Sequence, residues 1–114
     1  MKATGFVIHQ SQCSSINGKG YDFFVTRAGF VIPGAEPTEP GGRIHVCIEG
    51  DFAAFDGSND PDAQEQLFVA AKLIARLSET LGIASNALFP HQDGCPGARF
   101  PWAKLVLSIP DGYH

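Results

Sequence analysis

One stretch limits the possible folds more than any other: residues 61–81. Leu67, Ala70, Ala71, Ile74, Leu77 and Leu81 recur at helical spacing and form one apolar stripe. Asp60 stands before the stripe as an N-cap, and Pro61 takes the first helical position, where an N–H has no partner anyway. Asp62 and Glu65 suit the positive end of the helix dipole, and Gly82 supplies the stop. A helix this long with one apolar side must lay that side on something. The rest of the chain offers mainly strands, so the class is α/β or α+β.

The strands come mostly before the helix. Residues 5–9 (Gly-Phe-Val-Ile-His) predict a buried strand that ends on a polar group. Residues 10–20 are polar loop. Tyr21 to Thr26 predicts a strand, Arg27-Ala28-Gly29 a turn, and Phe30-Val31-Ile32 the return of a hairpin. Residues 33–43 hold three Pro and three Gly, which predicts a surface loop. Ile44 to Ile48 alternates, with Ile44, Val46 and Ile48 on one face and His45 and Cys47 on the other. After the helix, residues 83–99 predict mostly loop, and Pro101 to Ile109 a short final helix carrying Trp102, Leu105 and Val106. No repeat or linker divides the chain, so residues 1–114 are expected to form a single domain.

Composition narrows the function. A chain of 114 residues buries roughly two-thirds of its unfolded surface, enough for one core. The net charge is −4 and the eight basic residues are scattered, which argues against a nucleic-acid partner. No run approaches the roughly 18 apolar residues a membrane span needs. The first residues do not read as a signal peptide. The expectation is a cytoplasmic protein as synthesised. The three Cys, at 13, 47 and 95, contain no CxxC and do not complete a disulfide framework.

The residues with most chemistry lie in His91-Gln92-Asp93-Gly94-Cys95-Pro96-Gly97. Imidazole and thiolate are common zinc ligands, and Pro and Gly stiffen the loop that carries them. His9, at the end of the first strand, is the candidate third ligand. Three protein ligands would leave the fourth position of a catalytic zinc open. The plainer reading makes His9 a strand-end residue bonded to a backbone carbonyl, and Cys95 a small buried apolar group. His9 and Cys13 repeat the spacing of His91 and Cys95, so a closed, structural four-ligand zinc is a third reading. Tyr21 is either a hydrogen-bond donor to an oxyanion or an edge aromatic. His45 reads as a packed or solvated strand residue, and Glu49 and Asp93 as carboxylates of unassigned direction.

Taken in order, these segments resemble the zinc-dependent N-acetylmuramoyl-L-alanine amidases, the family of the phage lysozyme-amidases and peptidoglycan recognition proteins. Phe6-Val7-Ile8-His9-Gln10-Ser11 resembles the family's first strand. Gly20-Tyr21-Asp22-Phe23-Phe24-Val25, with Arg27-Ala28-Gly29 and Phe30-Val31, resembles its "GYHFII-RDG-V" hairpin. Ile44-His45-Val46-Cys47-Ile48-Glu49-Gly50 resembles "SIGVCLVG", and residues 64–81 its long helix. Pro90-His91-Gln92-Asp93 resembles "GHRD", and Cys95-Pro96-Gly97 with Phe100-Pro101-Trp102 resembles "CPG" and its aromatic follow-on.

The resemblance implies an α/β fold, with a mixed central sheet packed by the long helix (about 61–81) and a short C-terminal helix. It implies a zinc cleft at one edge. It implies Zn2+ held by His9, His91 and Cys95, with Tyr21 as the catalytic residue that polarises the attacked carbonyl or the zinc water. The implied reaction is hydrolysis of the amide between N-acetylmuramic acid and L-alanine in peptidoglycan or muropeptides. Four departures accompany it: a short His91–Cys95 spacing, Asp93 where many members have Lys or Thr, a nearly deleted helix after the first strand, and the Pro/Gly-rich stretch 33–43. They keep a second expectation open, a peptidoglycan-, muropeptide- or protein-binding module with weak or no catalysis.

Overall fold

The computed structural model describes residues 4–11, 21–34, 42–50, 52, 60–84, 87–90 and 99–105. Among them, five strands form one sheet in the order β3-β2-β4-β1-β5. The strands are β1 (Phe6–Gln10), β2 (Phe23–Val25), β3 (Val31–Pro33), β4 (Ile44–Ile48) and β5 (Leu88–Pro90). β1 runs parallel to both β4 and β5, and β2 runs parallel to β4. Only β3 is antiparallel, paired to β2 as the expected hairpin. The sheet is therefore mixed, and with the helix it makes an α/β fold.

The hairpin turns at Gly29, whose φ of 90° is open to glycine and strained for other residues. The Gly29 N–H donates to the Thr26 carbonyl at 2.9 Å, and Thr26 N–H to the Phe30 carbonyl at 2.8 Å. The Thr26 hydroxyl also accepts from the Phe30 N–H.

Helix α1 (Pro61–Leu81) has the predicted ends. The Asp60 carboxylate accepts from the N–H groups of Asp62 and Ala63. Gly82 adopts the left-handed conformation (φ 72°, ψ 31°), and the Ile83 N–H returns to the Ser78 carbonyl at 3.0 Å. The buried stripe is Ala63, Gln66, Leu67, Ala70, Ala71, Ile74 and Ser78. It drifts from the predicted one at its end. Leu77 is half-buried and Leu81 is exposed, while Ser78 and the following Ile83 turn inward.

The core is one cluster between α1 and one face of the sheet: Phe6, Ile8, Val25, Val46, Ile48, Leu67, Ala70, Ala71 and Ile74, closed by Phe52, Phe100 and Leu105. Phe100 meets Phe52 edge-on at 5.0 Å and Trp102 likewise at 5.0 Å. Gln66 is polar yet 1% exposed. Its amide donates to the Glu49 carbonyl at 2.8 Å and to the Val25 carbonyl at 3.2 Å, which ties the helix to the ends of β4 and β2.

Two expectations change. The segment 83–99 contains a strand, β5, which is too short at three residues to show a period. The described part of the final helix is a 3₁₀ turn, Trp102–Leu105, that begins after Pro101; residues 106–109 lie outside the described residues. No helix among the described residues is long and apolar enough to cross a membrane.

Candidate functional site

The pleat divides the central strands between two chemistries. Phe6 and Ile8 of β1, with Val46 and Ile48 of β4, belong to the helix-side core. Their neighbours Val7, His9, His45 and Cys47 point to the opposite face, because successive strand residues alternate. Strand register arranges this second face in rows. His9 pairs with Cys47 across β1 and β4, and Cys47 with Phe24 across β4 and β2. One step back, Val7 pairs with His45 on one side and with Phe89 on the other.

His9 is 2% exposed. Its Nε2 lies 2.8 Å from Nδ1 of His45, a hydrogen bond in which one ring donates and the other accepts. The ring centroids are 5.1 Å apart and the planes tilt by 31°. The backbone under His45 is fixed as well. Its N–H donates to the Asp22 carboxylate at 2.7 Å, and its carbonyl accepts from the Asp22 N–H at 2.7 Å. Two main-chain bonds to one residue leave the His45 Cα little freedom, so the imidazole is delivered to His9 by a rigid strand.

Tyr21 precedes β2 and is half-buried, with its ring 5.4 Å from that of Phe24. Through Phe24 it sits beside the row that ends on His9, on the same face of the sheet. The Glu49 side chain is engaged at the hairpin. Its carboxylate accepts from the Arg27 N–H at 2.7 Å and so braces the hairpin turn.

The other expected site residues, His91, Cys95, Cys13 and Asp93, lie outside the described residues, as does His114. Among the described residues, no three His, Cys, Asp or Glu side chains are grouped to hold a metal ion. His9 itself sits on β1, one strand in from the β5 side of the sheet.

Sequence reasoning left His45 as a packed or solvated strand residue, and the structure brings it to His9. Alternation already placed it off the core face. What alternation cannot give is the lateral offset between strands, and that offset brings its ring to His9. The pattern "SIGVCLVG" carried a signal, since glycine stands where this chain has His45. An imidazole in place of a hydrogen, in mid-strand beside a candidate ligand, marks the position.

No protein-family model matches the sequence, and no curated protein matches it. Solved structures do. The N-acetylmuramoyl-L-alanine amidase LysC from Clostridium intestinale URNW aligns over 92% of this chain and 83% of its own, with a TM-score of 0.65 at 18% identity. The endolysin N-acetylmuramoyl-L-alanine amidase LysCS from Clostridium intestinale URNW aligns over 92% of this chain and 82% of its own, again with a TM-score of 0.65 and 18% identity. The chain thus has the fold of these two amidases.

Proposed function

We propose that this protein hydrolyses the amide bond between N-acetylmuramic acid and L-alanine in peptidoglycan or muropeptides, with zinc held by His9, His91 and Cys95. The observation that carries the reading is a buried histidine at the end of a central strand, in a fold shared over nine-tenths of the chain with peptidoglycan amidases.

Two imidazoles and one thiolate form a donor set that suits zinc. The ring of His9 is already held in one orientation by His45, as a ligand's second nitrogen commonly is. Pro90, the register partner of Ile8, is the residue that precedes His91 in the sequence. Zinc, when bound, supplies Lewis acidity and makes water a competent nucleophile near neutral pH.

The chain's own groups do the rest. Tyr21, steadied against Phe24, offers a phenolic O–H that can donate to the amide oxygen as negative charge develops there. His9 is itself buried, with Cys47 beside it in the register, and an electrostatic contact made in buried surroundings is stronger than in water.

The experiment pairs elemental analysis with a muropeptide assay. The wild type is expected to carry about one zinc per chain and His91→Ala to lose it. Tyr21→Phe is expected to keep the metal while turnover falls by about 10²-fold or more. Unchanged muropeptide release in Tyr21→Phe would remove Tyr21 from the mechanism. Absence of zinc after dialysis against it would sink the catalytic reading.

A second reading follows from Asp93, two residues before Cys95. An ionised carboxylate cannot donate a hydrogen bond to the developing charge. On that reading the protein binds muropeptide with little turnover. Zinc retention and muropeptide binding without release of L-alanine-linked peptide would select it.

A further inference from the structure

We infer that His45 is a positioning residue for the metal site: its Nδ1 accepts a hydrogen bond from Nε2–H of His9, which fixes the tautomer in which His9 presents Nδ1 to zinc. The inference rests on the zinc reading above and deepens it, naming the His45 atom that acts and the His9 tautomer it selects.

The geometry is that of a hydrogen bond between the two rings. In an imidazole the N–H or lone pair points radially outward, and each nitrogen lies about 1.15 Å from the ring centroid. A head-on contact at 2.8 Å therefore sets the centroids about 5.1 Å apart. The observed separation is 5.1 Å, so both nitrogens lie on the line between the rings. Two imidazoles converging on one tetrahedral zinc, each at about 2.0–2.1 Å, would hold their nitrogens about 3.3–3.4 Å apart. The observed spacing is that of a direct N–H···N bond.

A neutral imidazole carries one proton, so its two nitrogens cannot both be donors or both be acceptors. A metal takes the lone pair of one nitrogen and leaves the proton on the other. With Nε2 of His9 aimed at His45, the metal-competent form is Nε2–H, and His45 must then offer the bare Nδ1. The fixed backbone of His45 makes this acceptor a permanent part of the site. The bond thus lowers the rotational freedom that His9 must give up when a metal arrives.

The test uses two substitutions and one measurement on the wild type. His45→Phe keeps a planar ring and removes the acceptor. His45→Asn restores an acceptor oxygen at the same distance from the backbone. Zinc affinity, read by competition with a chromophoric chelator, is expected to fall about 10–100-fold in His45→Phe. It is expected to recover to within a few-fold of wild type in His45→Asn. The visible spectrum of the cobalt-loaded protein is expected to be the same in wild type and His45→Phe, since the ligand set does not change. Equal zinc affinity in wild type and His45→Phe would overturn the inference, and so would a changed cobalt spectrum, which would make His45 a ligand.

Nitrogen-15 NMR of the metal-free wild type decides the point with no substitution. His9 is expected in the Nε2–H form, and an Nδ1–H form would overturn the assignment. A wild type that binds no zinc but shows the Nε2–H form would sink the zinc function while leaving the His9–His45 bond standing.

Discussion

The two faces of β1 and β4 are made by alternate residues of the same ten positions, and they follow different rules. The helix-side face is Phe6, Ile8, Val46 and Ile48, all fully buried against Ala70, Ala71 and Ile74. The other face is Val7, His9, His45 and Cys47, where two rings meet through one directed bond. The first face is held by area and tolerates exchange among apolar shapes. The second is held by direction, and a change of one atom type removes its meaning. A single strand can serve as both scaffold and instrument because its period of two keeps the two sets apart.

The contrast is sharpest for adjacent residues. Ile8→Ala is expected to destabilise the fold by about 2–5 kcal/mol, since it leaves a cavity under the helix. Gln66→Leu comes next. It leaves the Val25 and Glu49 carbonyls without the amide that bridges them, and is expected to cost about 1–3 kcal/mol. Val7→Ala, one residue from Ile8 but on the other face, is expected to cost about 1.5 kcal/mol, the burial of two methylene equivalents. Asp60→Ala touches neither face and loosens only the start of the helix, for about 1 kcal/mol. Urea unfolding of the four variants, compared at a common m-value, ranks them. A Val7→Ala loss as large as that of Ile8→Ala would show that the site face is as tightly packed as the core, and the comparison would fail.

The helix, its caps and the strands from Phe6 to Ile48 were legible because each rests on short-range periodicity or local capping. Asp60, Pro61 and Gly82 announce both helix ends within a few residues. Alternation in Ile44–Ile48 separates the two faces of β4. Strand β5 was not legible. Leu88-Phe89-Pro90 is too short for a pattern, and it is a strand only because β1 offers it a parallel edge. Gln66 and Ser78 in the buried stripe were missed for a related reason. Burial of a polar residue depends on a partner elsewhere, here the Val25 and Glu49 carbonyls for Gln66. Of the candidate residues, His9 and Tyr21 stood out by type and position and His91 and Cys95 lie outside the described residues, whereas the His9–His45 contact joins residues 36 positions apart and depends on strand offset.

The outermost strands among the described residues share one trait. β3 and β5 are each three residues long, and each ends in proline, Pro33 and Pro90. A proline has no N–H to offer an incoming strand, and three residues give a poor template for one. The exposed Val31 and Ile32 on β3 would otherwise invite another chain to pair there. Among the described residues, both margins of the sheet therefore make a poor template for a further strand, even where β3 carries an apolar rim.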